Sequence, residues 1–322
     1  MVKISIIIPS WNRKEDLKEC IISIKKQTFM DYEIIVVDNG SLDGTIEFLE
    51  KECPSILIIK NNKNRGASQA RNQAIKIANG EYLWFLDSDA VVLRKDCLKD
   101  MLKLFKEDSK IGELGGEVLM LNKELKIRIS NPCRNQDGIF TYIDKCRLRK
   151  TDYIATSNCI VKKDLVIKAG GFDPYYIYGY EDNNLGYNIS KLGYINIVDD
   201  KVLVHHKRAN VGRMSNFYMW HRNRIRFLIL NEKFLFLLFL PFIDIYTTIK
   251  ILPKRLEETK RLNLDEISLL KTSEKKQRSM IYKVSILGFN YGFNWILGYL
   301  WNIIHFPQTL YIRFKKPNFI EK

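Results

Sequence analysis

The chain has 322 residues, 46% hydrophobic and 28% charged, enough for a real core in one large domain with an appendage or in two domains. A formal net charge of +15 points to polyanionic partners and leaves nucleic acid, an anionic membrane surface and phosphorylated substrates open. The six scattered cysteines (Cys20, Cys53, Cys97, Cys133, Cys146, Cys159) form neither a CxxC pair nor a Cys/His cluster, which speaks against a zinc site and fits a reduced, cytosolic setting.

The opening residues are expected to start a domain directly, without the length or cleavage site of a signal peptide. Residues 4–8 form an apolar strand stopped by Pro9. Leu17, Ile21 and Ile24 recur at helical spacing across 14–27. Residues 33–37 read as a second strand followed by Asp38-Asn39-Gly40-Ser41, and Asp43 is placed to cap a helix reaching about Lys51. A third strand at 55–60, a helix at 67–78, a fourth strand at 82–86 and a helix near Lys95 continue the alternation. This order predicts a mainly parallel sheet with helices on both faces. From 110 to 210 the pattern is less regular, with strand-like pieces at 117–121, 153–161, 195–198 and 202–205, a Gly170-Gly171 turn and the aromatic run Tyr175-Tyr176-Ile177-Tyr178.

The composition changes after about residue 210. Residues 218–226 mix aromatics with Arg222, Arg224 and Arg226, read as a lipid- or phosphate-facing cluster. The uncharged run 234–243 is broken by Pro241, and the highly charged stretch 254–278 is expected to be a solvated helix or linker. Residues 284–312 hold no Lys, Arg, Asp or Glu, and Asn290, Asn294, Gly298 and Asn302 fall on one helical stripe. That length suffices to cross a bilayer, but the Asn stripe is costly in hydrocarbon unless buried against protein. Basic residues flank both ends (Arg278, Lys283; Arg313, Lys315, Lys316), so no orientation follows. The favoured expectation is a helix or hairpin lying on the membrane surface, each well-placed basic residue adding about 1 kcal/mol of attraction to anionic lipid. A true span and a partner-helix surface are the alternatives.

Four strand ends carry polar clusters: Pro9-Ser10-Trp11-Asn12-Arg13, Asp38-Asn39-Gly40-Ser41, Asn64-Arg65-Gly66 with Ala70-Arg71-Asn72, and Asp87-Ser88-Asp89. In a parallel sheet such ends share one edge and converge on one crevice. Asp87 and Asp89 are hard oxygen donors suited to Mg²⁺ or Mn²⁺, unless they merely begin a turn. No GxGxxG follows the first strand, which argues against a dinucleotide fold.

Taken in order, these motifs resemble family 2 glycosyltransferases with the GT-A fold, densely over about the first 90 residues. The resemblance resumes at Gly170-Gly171-Phe172-Asp173 and Tyr180-Glu181-Asp182, and again at His205-His206. It implies an α/β, Rossmann-like GT-A domain over 1–212, with a nucleotide-sugar half at about 1–110 and an acceptor half at about 111–212, followed by a helical, membrane-associating region at 213–322. It implies an inverting transferase moving a sugar from a nucleoside-diphosphate-sugar to a hydroxyl of a lipid-linked glycan or polysaccharide. Asp182 would be the catalytic base with Glu181 beside it. Pro9, Trp11, Asn12, Asp38, Asn39, Gly66, Arg71, Asp87 and Ser88 would line the donor, Asp38 accepting from a pyrimidine. Asp87, Asp89 and one of His205 or His206 would hold Mn²⁺ or Mg²⁺.

Plainer roles stand beside these: an Asx turn for Asp38, a helix cap for Asp43, surface positions for Arg65 and Arg71, an N-cap for Asp182 and a structural carboxylate for Glu181. No Gln-x-x-Arg-Trp motif occurs, so addition of one or a few sugars is expected rather than processive synthesis. The expected location is the inner face of the cell membrane, with no nucleic-acid partner. The competing classes are a metal-dependent nucleotidyltransferase, which more often shows a Gly-rich phosphate loop, and a nucleic-acid-binding protein, which needs a basic stripe on the folded half.

Overall fold

Short runs of Ile, Val, Leu and aromatic residues pair as strands, and amphipathic helices between them cover both faces. The computed structural model describes residues 2–121, 126–129, 132–134, 140–142, 148–177, 179–207, 217–232, 237, 239–242, 246 and 294–320. The chain divides into two compact units, the first taking in Met1–Asn135, Ile139–Val211 and Lys316–Lys322, the second Gln136–Gly138 and Gly212–Lys315.

In the first unit β1 (Ile4–Ser10), β2 (Tyr32–Asp38), β3 (Leu57–Lys60) and β4 (Tyr82–Leu86) are parallel neighbours in the order β3-β2-β1-β4. Ser10 pairs with Asp38 and Asp38 with Lys60, so the polar strand ends open on one edge. The two-residue period sends Ile4, Ile6 and Ile8 to one face of β1 and Ile7 to the other. The first face packs on α1 (Lys14–Lys25), α2 (Thr45–Glu52) and α4 (Cys97–Glu107) through Leu17, Ile21, Phe48, Leu98 and Met101. The second packs on α3 (Ala67–Ile77), α5 (Lys163–Lys168) and α6 (Glu181–Lys191) through Ala70, Ala74, Leu165, Leu185 and Ile189. Each fully buried Ile or Leu side chain contributes about 1.5–3 kcal/mol, so these two layers hold the strand ends in place.

Beyond β4 the sheet stops being parallel. β11 (Asn158–Lys162) runs antiparallel to both β4 and β6 (Ile111–Leu121), while β12 (Ile195–His206) runs parallel to β6. β5 (Ala90–Val92), β7 (Lys126–Ile129) and β10 (Leu148–Thr151) add antiparallel pairs, and β8 (Pro132–Arg134) with β9 (Phe140–Tyr142) forms a separate two-stranded sheet. The ten-stranded sheet is therefore mixed, which corrects the expectation of a mainly parallel one. A helix follows each of the first three strands and returns the chain for a parallel partner; that alternation lapses after α4, and antiparallel pairing takes over. The pieces expected at 195–198 and 202–205 are one strand, β12, broken in register between Asp199 and Val204.

In the second unit α7 (Phe217–Asn231) packs on α9 (Phe306–Lys315), which follows α8 (residues 294–304). Arg222, Arg224 and Arg226 are buried rather than a surface cluster facing lipid or phosphate. Arg222 lies over the Trp301 ring at 4.6 Å, and Arg226 Nη1 donates to Thr309 Oγ1 at 2.7 Å. Asn302 Nδ2 donates to the backbone oxygens of Arg222 and Gly298 at 2.8 Å each. A Cβ on Gly298 would stand 3.1 Å from Arg222 N, so the Gly298–Asn302 stripe faces α7. No described helix is long and apolar enough to cross a membrane. Tyr178, Asn290, the charged stretch 254–278 and parts of the runs 234–243 and 284–312 lie outside the described residues.

Gly116 lets β12 bulge against β6, since a Cβ there would meet Val202 O at 1.4 Å. Gly116→Ala is expected to lower the unfolding free energy by about 3 kcal/mol, read from urea midpoints. Gly193→Ala, at φ +89 with nothing within 4 Å, is the control and costs about 1 kcal/mol. Equal midpoints for the two variants would refute this account of the bulge.

Candidate active site

β4 ends at Leu86, and Asp87-Ser88-Asp89 turns the chain into β5, with Ala90 N donating to Asp87 O at 3.0 Å. β5 lies against the end of β12, where His206 pairs with Ala90 and Lys207 N donates to Asp89 O at 3.0 Å. This register sets His206 Nε2 2.9 Å from Asp89 Oδ1 and 3.2 Å from Asp87 Oδ2. Side chains alternate along a strand, so His205 turns to the other face of β12. Among the described residues the group with metal-ligand spacing is Asp87, Asp89 and His206, without His205.

Two arginines complete the charge balance. Arg13 Nη1 meets Asp89 Oδ2 at 2.8 Å and Asp16 Oδ2 at 3.3 Å. Arg71 is buried, not on the surface; its Nη2 lies 3.1 Å from Asp87 Oδ1 and its Nη1 3.4 Å from Glu181 Oε1. Burial alone would raise the Asp87 pKa, but the His206 hydrogen bond and the Arg71 charge pull it down to about 2. Burial alone would lower His206, but its hydrogen bonds to Asp87 and Asp89, with their charges, raise it to about 10. Without a metal the imidazolium thus bridges the two carboxylates.

The loops on the β1–β3 side are knitted together. Asp38 Oδ2 accepts the N–H groups of Gly40 (3.1 Å) and Ser41 (2.9 Å), an Asx turn that leaves its buried Oδ1 without a partner. Asn12, at φ 51, donates its N–H to Ser41 Oγ and accepts from Leu42 N, both at 2.8 Å. Asn39 N donates to Ser10 O at 2.8 Å, and Asn39 Oδ1 accepts from Asn61 at 2.9 Å. Asp43 accepts from Lys14 N and Thr45 N at 2.9 and 3.2 Å, but the residue at the N-cap of α2 is Gly44. Gly66 heads α3 at φ 81; Pro9 pairs with Val37 inside the sheet, Ser88 is buried between the two aspartates, and Trp11 is half exposed.

On the other side Tyr180 takes a left-handed conformation (φ 73), a strain of about 1–3 kcal/mol for a bulky residue, and turns the chain so that Glu181 and Asp182 head α6. Burial and the Glu181 charge push Asp182 up to about 7, and burial raises Glu181 as well. Asn72 clamps the preceding turn by donating to Phe172 O at 2.7 Å and accepting from Phe172 N at 3.0 Å. Asn72 and Arg13 belong to the strand-end motifs but carried no assigned role from sequence, because their partners lie far along the chain. Glu113, buried on β6 and accepting from Ile154 N at 3.2 Å, carried no sequence signal at all.

The donor set suits a hard divalent ion: two carboxylates and one imidazole nitrogen whose ligand atoms lie within 4.8 Å of one another. Asp89→Ala and His206→Ala are each expected to weaken Mn²⁺ binding by about a hundred-fold, while His205→Ala stays near wild type, measured by titration calorimetry. A larger loss in His205→Ala than in His206→Ala would reverse the assignment.

The family described as glycosyl transferase family 2 matches residues 5–170, just over half of the chain. An uncharacterized glycosyltransferase of Bacillus subtilis (strain 168), YfnE, is 28% identical over 284 residues, 67% of this chain and 71% of that protein. The Escherichia coli protein named UDP-Glc:alpha-D-GlcNAc-diphosphoundecaprenol beta-1,3-glucosyltransferase WfaP is 44% identical over 90 residues, 28% of this chain and 36% of that protein. Among solved structures, a mannosyltransferase from Pyrobaculum calidifontis in complex with GDP-Man and Mn²⁺ superposes with TM-score 0.56 and 16% identity, over 94% of this chain and 87% of that one. The mixed sheet flanked by helices is the arrangement of GT-A glycosyltransferases. The chain belongs to glycosyl transferase family 2 and is a glycosyltransferase.

Proposed function

We propose that the protein is an inverting, metal-dependent glycosyltransferase. It moves a sugar from a nucleoside-diphosphate-sugar to a hydroxyl of a lipid-linked glycan or polysaccharide at the inner face of the cell membrane. Residues 1–212 are assigned the catalytic role, together with Lys316–Lys322 of the same compact unit, and the rest of the helical region the membrane-facing one. One observation carries this reading: Arg71 joins Asp87, a member of the metal-ligand group, to Glu181, whose neighbour Asp182 is pushed up to about 7 by burial and the Glu181 charge.

Asp38 Oδ1, buried and unpaired, is free to accept an N–H from a pyrimidine, with the Asn12 and Asn39 loops walling the same edge. Asp87, Asp89 and His206 would hold Mn²⁺ or Mg²⁺, which would offset negative charge on the departing diphosphate. Asp182 takes the proton of the acceptor hydroxyl as that oxygen bonds to the anomeric carbon. The bond from that carbon to the diphosphate oxygen breaks with its electron pair leaving on the diphosphate, so one displacement inverts the centre. The relative whose name includes UDP-Glc makes UDP-glucose the first donor to test.

With Mn²⁺ and a panel of nucleotide-sugars, release of nucleoside diphosphate from one donor is expected, and Asp182→Asn should slow it by about 10³-fold while leaving donor binding intact. Asp182 works as a base only when ionised, so kcat/KM should rise with pH through a midpoint near 7. No release and no donor binding by calorimetry, or a flat profile across that midpoint, would sink the reading.

The second unit supports attachment to a membrane surface. α8 turns Gly298 and Asn302 toward α7, while Ile303 (67% exposed) and Ile304 (73%) face outward with Ile296 and Leu300. Lys315 and Lys316 follow the exposed Tyr311 and Phe314, matching an interfacial helix beside anionic headgroups. Co-sedimentation with phosphatidylglycerol vesicles should weaken with added salt, and the double variant Ile303→Glu, Ile304→Glu should reduce it by about ten-fold or more. Vesicle binding unchanged in that variant would remove this face from consideration.

A further inference from the structure

Residues 316–320 leave the helical unit and join the first unit beside the turn that leads to the acidic pair. Phe319 N donates to Gly170 O at 2.8 Å, and Asn318 Oδ1 accepts from Ile320 N at 2.9 Å, fixing a small turn. Ile320 is buried in the cluster that contains Phe172, Leu165, Ala74 and Leu185. Gly171, at φ +75, is what admits it: a Cβ there would stand 2.6 Å from Ile320 Cγ1 and 3.0 Å from Asn72 Oδ1. The Gly170–Asp173 turn is thus held from one side by Asn72 and from the other by this strap. Arg71 lies over the Phe172 ring at 5.5 Å, so the clamped turn also backs the guanidinium that joins Asp87 to Glu181.

We propose that residues 317–320 form a positioning strap for the catalytic centre, with Ile320 as its anchor. By wedging against Gly171 and Phe172 it fixes the turn from which Glu181 and Asp182 are presented and the seat of Arg71. β1, β2 and β4 border the same cluster through Ile7, Ile35, Val37, Leu83 and Phe85, but their own sheet pairing holds them in register, so the strap bears first on the turn. The catalytic consequence rests on the glycosyl-transfer reading above; the structural one does not.

The test compares wild type, Ile320→Ala and Ile320→Val as full chains. Hydrogen exchange is followed by mass spectrometry, and Mn²⁺-dependent release of UDP from UDP-glucose, or of the diphosphate from whichever donor the panel selects, is measured alongside. In Ile320→Ala, peptides covering 170–173 and 180–184 should exchange about ten-fold faster while those covering β1, β2 and β4 do not change. kcat should fall about ten-fold or more with donor KM near wild type, because misplacement of the base harms transfer and not donor capture. Ile320→Val should restore both. Unchanged exchange at 170–173, equal acceleration across the whole sheet, or wild-type kcat despite a loosened turn would each overturn the strap. If wild type releases no diphosphate from any donor, the functional reading falls and the exchange data still decide the structural claim.

Discussion

The buried guanidinium of Arg71 is the interaction on which the site depends. It binds a carboxylate from the end of β4 and another from the head of α6, elements that sequence alone places almost a hundred residues apart. A buried charge that loses its partner costs several kcal/mol, so neither carboxylate is dispensable to the fold around it. The surroundings sort the acids by role. The His206 hydrogen bond and the Arg71 charge hold Asp87 down to about 2, whereas burial and the Glu181 charge push Asp182 up to about 7. Different neighbours thus separate two carboxylates that share one edge.

The first half of the fold was legible because its physics is local. Strands of four to seven residues alternate with helices carrying apolar residues at helical spacing, and β4 has the bounds its apolar run predicts. The metal-spaced aspartates and the Glu181-Asp182 pair were legible as motifs at the ends of elements. What stayed hidden depends on register and on distant partners. Choosing between His205 and His206 requires knowing that β12 pairs with β5 at Ala90, which no spacing reveals. The antiparallel course of β11 is hidden for the same reason: its sequence, Asn158-Cys159-Ile160-Val161-Lys162, suits either direction. Arg222, Arg224 and Arg226 were misread because arginine in an aromatic setting is ordinarily a surface signal, and only the packing of α7 on its neighbours shows them enclosed.

The helical unit inverts the usual arrangement of an amphipathic helix in water. On α8 Asn302 donates to Arg222 O of α7 and to Gly298 O of its own helix, Gly298 lies against α7, and the branched aliphatics are left outside. The Asn stripe, which argued against an isolated span, finds at Asn302 the protein partner that a polar side chain in apolar surroundings needs.

The strap gives folding an order. The β3-β2-β1-β4 sheet closes through contacts within the first ninety or so residues, whereas Ile320 joins Phe172 and Ala74 from well over a hundred residues away. Contacts between such distant residues carry the larger loop-closure cost and form late. A growing chain therefore completes the edge formed by the ends of β1 to β4 before Ile320 can seat the turn that leads to Glu181 and Asp182.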